Sequence, residues 1–103
     1  MEIKEIIQKV KDVMKERDYW LHSTNGDETT LHYMTPFEEK PNFTCDVYII
    51  SDKDVEFRFR YLTKTCIILT TDLIGSFFDE NHFHKFEVNF WNAATVLYNY
   101  EKQ

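Results

Sequence analysis

The stretch Val55-Glu56-Phe57-Arg58-Phe59-Arg60-Tyr61 decides the fold. Apolar residues fall on every second position and charged residues on the others, the two-residue period of a strand with one buried and one wetted face. Such a strand belongs to an antiparallel sheet that is covered on one side. Just before it, Asp52-Lys53-Asp54 supplies a tight turn, and residues 43–51 read as the preceding strand. Just after it, Cys66-Ile67-Ile68-Leu69 is apolar on both faces, the pattern of a central strand.

Toward the N-terminus, Pro36 and Pro41 bracket a charged connection that cannot continue a ladder, because neither proline has an N–H to donate. Residues 19–24 and 28–35, separated by Asn25-Gly26-Asp27, read as a β-hairpin. A two-residue loop would set Leu21 opposite polar Thr30. A loop of odd length sets Leu21 opposite Leu31 and Tyr19 opposite Tyr33, and the hydrophobic pattern favours it. In residues 2–17, Ile3, Ile6, Ile7, Val10, Val13 and Met14 recur at three and four, one stripe of an amphipathic helix.

Toward the C-terminus the pattern breaks around Gly75. Asp79-Glu80-Asn81 can cap a helix over residues 82–100, with Phe83, Phe86, Phe90, Ala94 and Leu97 on its inner stripe. The expected fold is therefore α+β: an antiparallel meander of four to five strands with an N-terminal and a C-terminal helix packed on one face. The 103 residues make one domain.

Composition narrows the functions open to such a domain. The formal charge is −6, and residues 19–57 alone hold eight acidic against two basic groups. Neutralising phosphates takes clustered Lys and Arg, so direct nucleic-acid binding and attraction to an anionic membrane are disfavoured. No stretch is apolar enough to span a membrane, and the amphipathic start MEIKEIIQKVKDVMK is unlike a signal peptide, so a cytoplasmic location is expected. Cys45 and Cys66 sit in apolar runs without C-x-x-C spacing and read as reduced, unpaired thiols.

No nucleotide-binding, zincin or nucleophile-elbow motif is present, which points away from an enzyme and from a cofactor. Asp79, Glu80, His82, His84 and Glu87 make the densest group of metal-ligand types. On a helix, His82 and His84 point about 200° apart, and capping explains the acidic pair, so no metal site is expected. His22 and His32 share one face of the hairpin near Trp20 and Met34, as polar surface. Glu56, Arg58 and Arg60 share the polar face of one strand with Asp46 opposite, the arrangement of cross-strand charge pairing, and secondarily of a recognition face.

Seventeen aromatic residues, nine Phe, six Tyr and two Trp, exceed what a core of this size hides. Some of Trp20, Tyr48, Phe77, Phe78, Trp91, Tyr98 and Tyr100 are therefore expected at the surface, where such side chains anchor protein partners. The expected function is a small acidic protein-binding module, an inhibitor or adaptor of immunity-like or anti-defence-like type, that engages a basic surface of a partner protein. Its expected partner-binding residues are Asp27, Glu28, Glu38, Glu39, Asp52, Asp54 and Trp20. A homo-oligomeric structural or small-ligand-binding domain, with a homodimer as its simplest form, is the alternative, and a small enzyme is the third reading.

Overall fold

Helix α1 spans Ile3–Glu16 and turns Ile6, Ile7, Val10, Val13 and Met14 into the core, as their spacing predicts. Ile3, on the same stripe, is left 40% exposed at the first turn. The computed structural model describes residues 2–35, 43–52, 54–62, 68–75 and 80–102, with backbone alone at 62, 68–75, 80 and 82.

The helix ends on a left-handed residue, Asp18, at φ 63°. The N–H of Asp18 donates to the Lys15 carbonyl and that of Tyr19 to the Met14 carbonyl, the pair of bonds that closes a Schellman motif. This reversal drives Tyr19 back into the core, where its ring meets Tyr33 at 6.5 Å and Phe43 at 6.3 Å. Tyr19 is therefore a capping residue and not a strand residue.

Strands β1 (Trp20–Thr24), β2 (Thr30–Met34), β3 (Thr44–Ile49), β4 (Val55–Leu62) and β5 (Ile68–Gly75) form one antiparallel meander in the order β1-β2-β3-β4-β5. The expected register of the first hairpin needs correction. Leu21 pairs with Tyr33 rather than Leu31, and a bulge at His22–Ser23 shifts the remaining pairs to Ser23–His32 and Thr24–Leu31. The cause is a longer loop, in which Asn25 and Thr30 close the turn and Glu28 takes the left-handed conformation at φ 58°. The shift of two residues still keeps Leu21 on the covered face.

A second correction concerns β5. The apolar run at 66–69 suggests a central strand, yet β5, which begins with Ile68 and Leu69 of that run, lies at the sheet's edge beside β4, while Cys66 and Ile67 lie outside the described residues. Helix α2 spans Glu80–Lys102, starting two residues before the expected His82, and Asp79 lies outside the described residues.

Both helices cover the same face of the sheet. Leu31, Tyr33, Cys45, Val47, Phe57 and Phe59 point toward them and are all at most 2% exposed, together with Val10 and Met14 of α1 and Phe83, Phe90 and Ala94 of α2. Phe90 packs on Phe43 at 5.1 Å and Phe59 at 5.4 Å, and Phe83 on Phe57 at 4.8 Å. Each such ring contributes about 2–3 kcal/mol by leaving water, and α2 is held by these rings. Among the described residues no helix lies on the opposite face, which carries His32, Asp46, Tyr48, Glu56, Arg58 and Arg60.

Candidate functional site

The meander sets the position of its turns. Strands β2 and β3 pair Thr30 with Tyr48, and the Ile49 N–H donates to the Thr29 carbonyl at 2.7 Å. The β1–β2 turn and the β3–β4 turn consequently lie side by side at one end of the sheet. In the first turn, Glu28 N–H donates to the Asn25 carbonyl, Asn25 Oδ1 accepts from Thr30 N–H at 3.0 Å, and Asn25 Nδ2 donates to Thr29 Oγ1 at 2.9 Å. In the second, Ile50 and Ser51 N–H both donate to the Asp54 carbonyl, and Ser51 Oγ accepts from Asp54 N–H at 3.1 Å.

These bonds occupy the backbone and the small polar side chains and leave the carboxylates outward. Asp27, Asp52 and Asp54 are exposed and make no ion pair among the described residues. Glu28 behaves differently: it pairs with Lys11 of α1 and is half-buried. A groove of about 350 Å³ runs between α1 and this turn, lined by Lys4, Ile7, Gln8, Lys11, Gly26, Asp27 and Glu28. Ile50, at the start of the second turn, is 60% exposed. Sequence reasoning passed over it, although in Ile49-Ile50 the strand alternation requires one of the two to face outward.

The other expected residues are dispersed. Trp20 is 55% exposed but pairs with Met34 at the far end of β1, where its ring meets His22 at 5.8 Å. Glu38 and Glu39 lie outside the described residues, as do Phe77 and Phe78. Trp91 and Tyr98 pack partly against the core, whereas Tyr100 is 76% exposed.

On the open face one row crosses the sheet, Ser23–His32–Asp46–Arg58, each residue opposite the next. His32 Nδ1 lies 2.8 Å from Asp46 Oδ1, and Arg60 lies 3.9 Å from the same carboxylate. Arg58 donates to Glu56 at 2.8 Å and covers the Tyr48 ring at 5.3 Å. The expected cross-strand pairing is thus present, with Asp46 buried beneath its partners.

A further polar cluster lies in the seam between the helices. Arg17 reaches Glu87 at 3.3 Å and stacks over Phe83 at 5.2 Å, and His84 stands 3.6 Å from Glu87. Burial, with Cys45 and Glu87 close by, pushes the Tyr19 pKa well above the ordinary tyrosine value. Glu16, Arg17, Tyr19, Thr35, Glu87 and Trp91 line a cleft of about 240 Å³ here. Arg17 and Glu87 offset each other, which leaves Glu16 as the remaining charged group of this lining. Nothing in the sequence signals this pair, whose members lie 70 positions apart.

Among the described residues no group of three or more His, Cys, Asp or Glu is placed to hold a metal ion. Among them, too, no helix is long and apolar enough to cross a membrane. No protein-family model, no curated protein and no solved structure matches this chain.

Proposed function

We propose that the chain is a protein-binding module, an inhibitor or adaptor, that engages a basic surface of a partner through the acidic end of its sheet. The observation that carries the reading is the Ile49–Thr29 hydrogen bond, which holds Asp27 on the same end as Asp52 and Asp54. Three exposed carboxylates without an ion pair among the described residues raise the local concentration of a Lys- or Arg-rich surface and speed its approach. Exposed Ile50 supplies apolar contact at that end. Glu28 serves by fixing the turn to α1 through Lys11, and Trp20 stands outside this surface.

The test is a variant with Asp27→Lys, Asp52→Lys and Asp54→Lys, all at exposed turn positions, so its melting temperature is expected to match the wild type. Immobilised wild type, exposed at low salt to a lysate of the cells that naturally make it, is expected to retain basic proteins that mass spectrometry identifies and that the variant loses. Equal retention by both chains, or retention of acidic proteins only, overturns the reading.

A further inference from the structure

The cleft in the seam between α1 and α2 gathers opposite charges around one small space. It lies by Thr35, which follows Met34 at the end of β2 away from the acidic turns. Arg17 is basic, Glu16 and Glu87 are acidic, and Tyr19 and Trp91 add two aromatic rings. The volume of about 240 Å³ is that of about eight water molecules and falls below the range of pockets for drug-sized ligands. An occupant is therefore a small molecule.

The chain leaves much of Arg17 unused. A guanidinium is rich in N–H donors, yet the hydrogen bond that Arg17 makes among the described residues is the one from Nη1 to Glu87 at 3.3 Å. Its Nε is buried without a partner there, while the side chain as a whole is 23% exposed, so the accessible part is the Nη end. Glu87 is the counterpart, a buried carboxylate approached by Arg17 and, at 3.6 Å, by His84. We infer that this cleft binds a free α-amino acid with an uncharged side chain, its carboxylate on the Nη end of Arg17, its ammonium on Glu16 and Glu87, and its side chain against Tyr19 and Trp91.

Charge selects this class of ligand. A simple anion would face two carboxylates in a chain of net charge −6, and a simple cation would face Arg17. An α-amino acid carries both signs on one carbon, and Arg17 and Glu87 are themselves neighbours, so each charge meets its opposite. Carboxylate on guanidinium makes a strong two-point contact, and an ammonium brings the donors that carboxylates lack. A further charge on the ligand would lose its hydration against the two rings, which is why the side chain is uncharged. A peptide N-terminus shares the ammonium and offers a carbonyl oxygen in place of the carboxylate.

Titration of the whole chain, followed by NMR, tests this. The probes are the L-amino acids with uncharged side chains, each raised to about 10 mM, and then the N-acetyl and amide derivatives of any that binds. At least one amino acid is expected to bind saturably, one per chain, and to shift the indole N–H resonance of Trp91 but not that of Trp20. Its N-acetyl derivative, which lacks the ammonium, is expected not to bind, and its amide to bind at least about tenfold more weakly. Glu16→Lys, at an exposed position, is expected to melt as the wild type does and to bind about tenfold more weakly. Arg17→Lys keeps the cation but not the planar fork, and a similar loss is expected. The inference is overturned if no probe binds, if the N-acetyl derivative binds equally, if Trp20 responds in place of Trp91, or if both variants bind as the wild type does. An amide that binds as tightly as the acid would assign the cleft to peptide N-termini and overturn the free amino acid.

Discussion

Arg17, at the end of α1, and Glu87, within α2, meet at 3.3 Å and tie the two helices together above the sheet. Glu87 is buried, and Arg17 is its close cationic partner, with His84 further off at 3.6 Å. Replacing Arg17 by Met keeps an apolar stem but removes the guanidinium that lies over Phe83 and pairs with Glu87, a loss expected to be on the order of 3 kcal/mol. Adding Glu87→Gln removes the stranded charge, and more than half the loss is expected to return. Urea midpoints of the two variants decide it; an Arg17→Met midpoint equal to the wild type would show that the tie carries no weight.

Asp18 is expected to be the most improvable residue in the chain. It holds a left-handed φ of 63° at the end of α1, where a side chain strains the backbone and a negative charge opposes the helix dipole. Asp18→Gly relieves both and is expected to stabilise by about 1 kcal/mol, with the melting temperature rising by several degrees. A fall in melting temperature would mean that Asp18 has a favourable role elsewhere.

Phe90 touches both Phe43 and Phe59 and is 2% exposed. Phe90→Ala is expected to cost about 3–5 kcal/mol, through lost burial and the cavity left between α2 and the sheet. Denaturant unfolding of the variant measures it, and a loss below about 1 kcal/mol would place Phe90 outside the core.

The elements whose two faces differ in polarity could be read from the chain. Val55, Phe57, Phe59 and Tyr61 alternate with charged residues, and the alternation gives both strand and covered face; Ile6, Val10 and Met14 do the same for α1. Where a run is short and apolar on both faces, as at 66–69, periodicity says nothing about neighbours, and the strand that begins with Ile68 and Leu69 is an edge. The hairpin register escaped because it depends on Glu28 adopting a left-handed conformation that ordinary residues avoid. At the candidate site, the exposure of Asp27, Asp52 and Asp54 follows from their places in turns. Their shared end follows from strand order, while the pairings of Glu28 with Lys11 and of Glu87 with Arg17 needed the three-dimensional packing.

Tyr33 gives a pH dependence with a definite sign. Burial, with Cys45 beside it, pushes its pKa from 10.0 up to about 12, so the folded chain holds this proton more tightly than the unfolded one. Stability linked to Tyr33 is intact below about pH 10 and falls as the pH rises toward 12. Tyr19, shifted in the same direction, adds to the effect. At about pH 11, ultraviolet absorbance is expected to show part of the tyrosine still protonated until denaturant is added. Complete ionisation without loss of structure would contradict the buried placement of both rings.

Cys45 is fully buried and burial raises its thiol well above the ordinary value, so almost no thiolate is present at neutral pH. In a Cys66→Ser background, Cys45 is expected to ignore a thiol reagent until the chain is unfolded. In the wild type, mass measured with and without reductant is expected to be equal; a two-hydrogen deficit restored by reductant would show a Cys45–Cys66 disulfide.

Nearest-neighbour strand order also governs how the chain is assembled. Every strand pairs with the one made just before it, so each step of sheet growth closes a short loop and none waits for a distant segment. The long closures are left to the helices: Arg17 and Glu87 come from opposite ends of the chain, and their meeting spans 70 positions. That tie is therefore expected to lock a sheet already standing, and its loss to be felt chiefly in how fast the finished molecule comes apart.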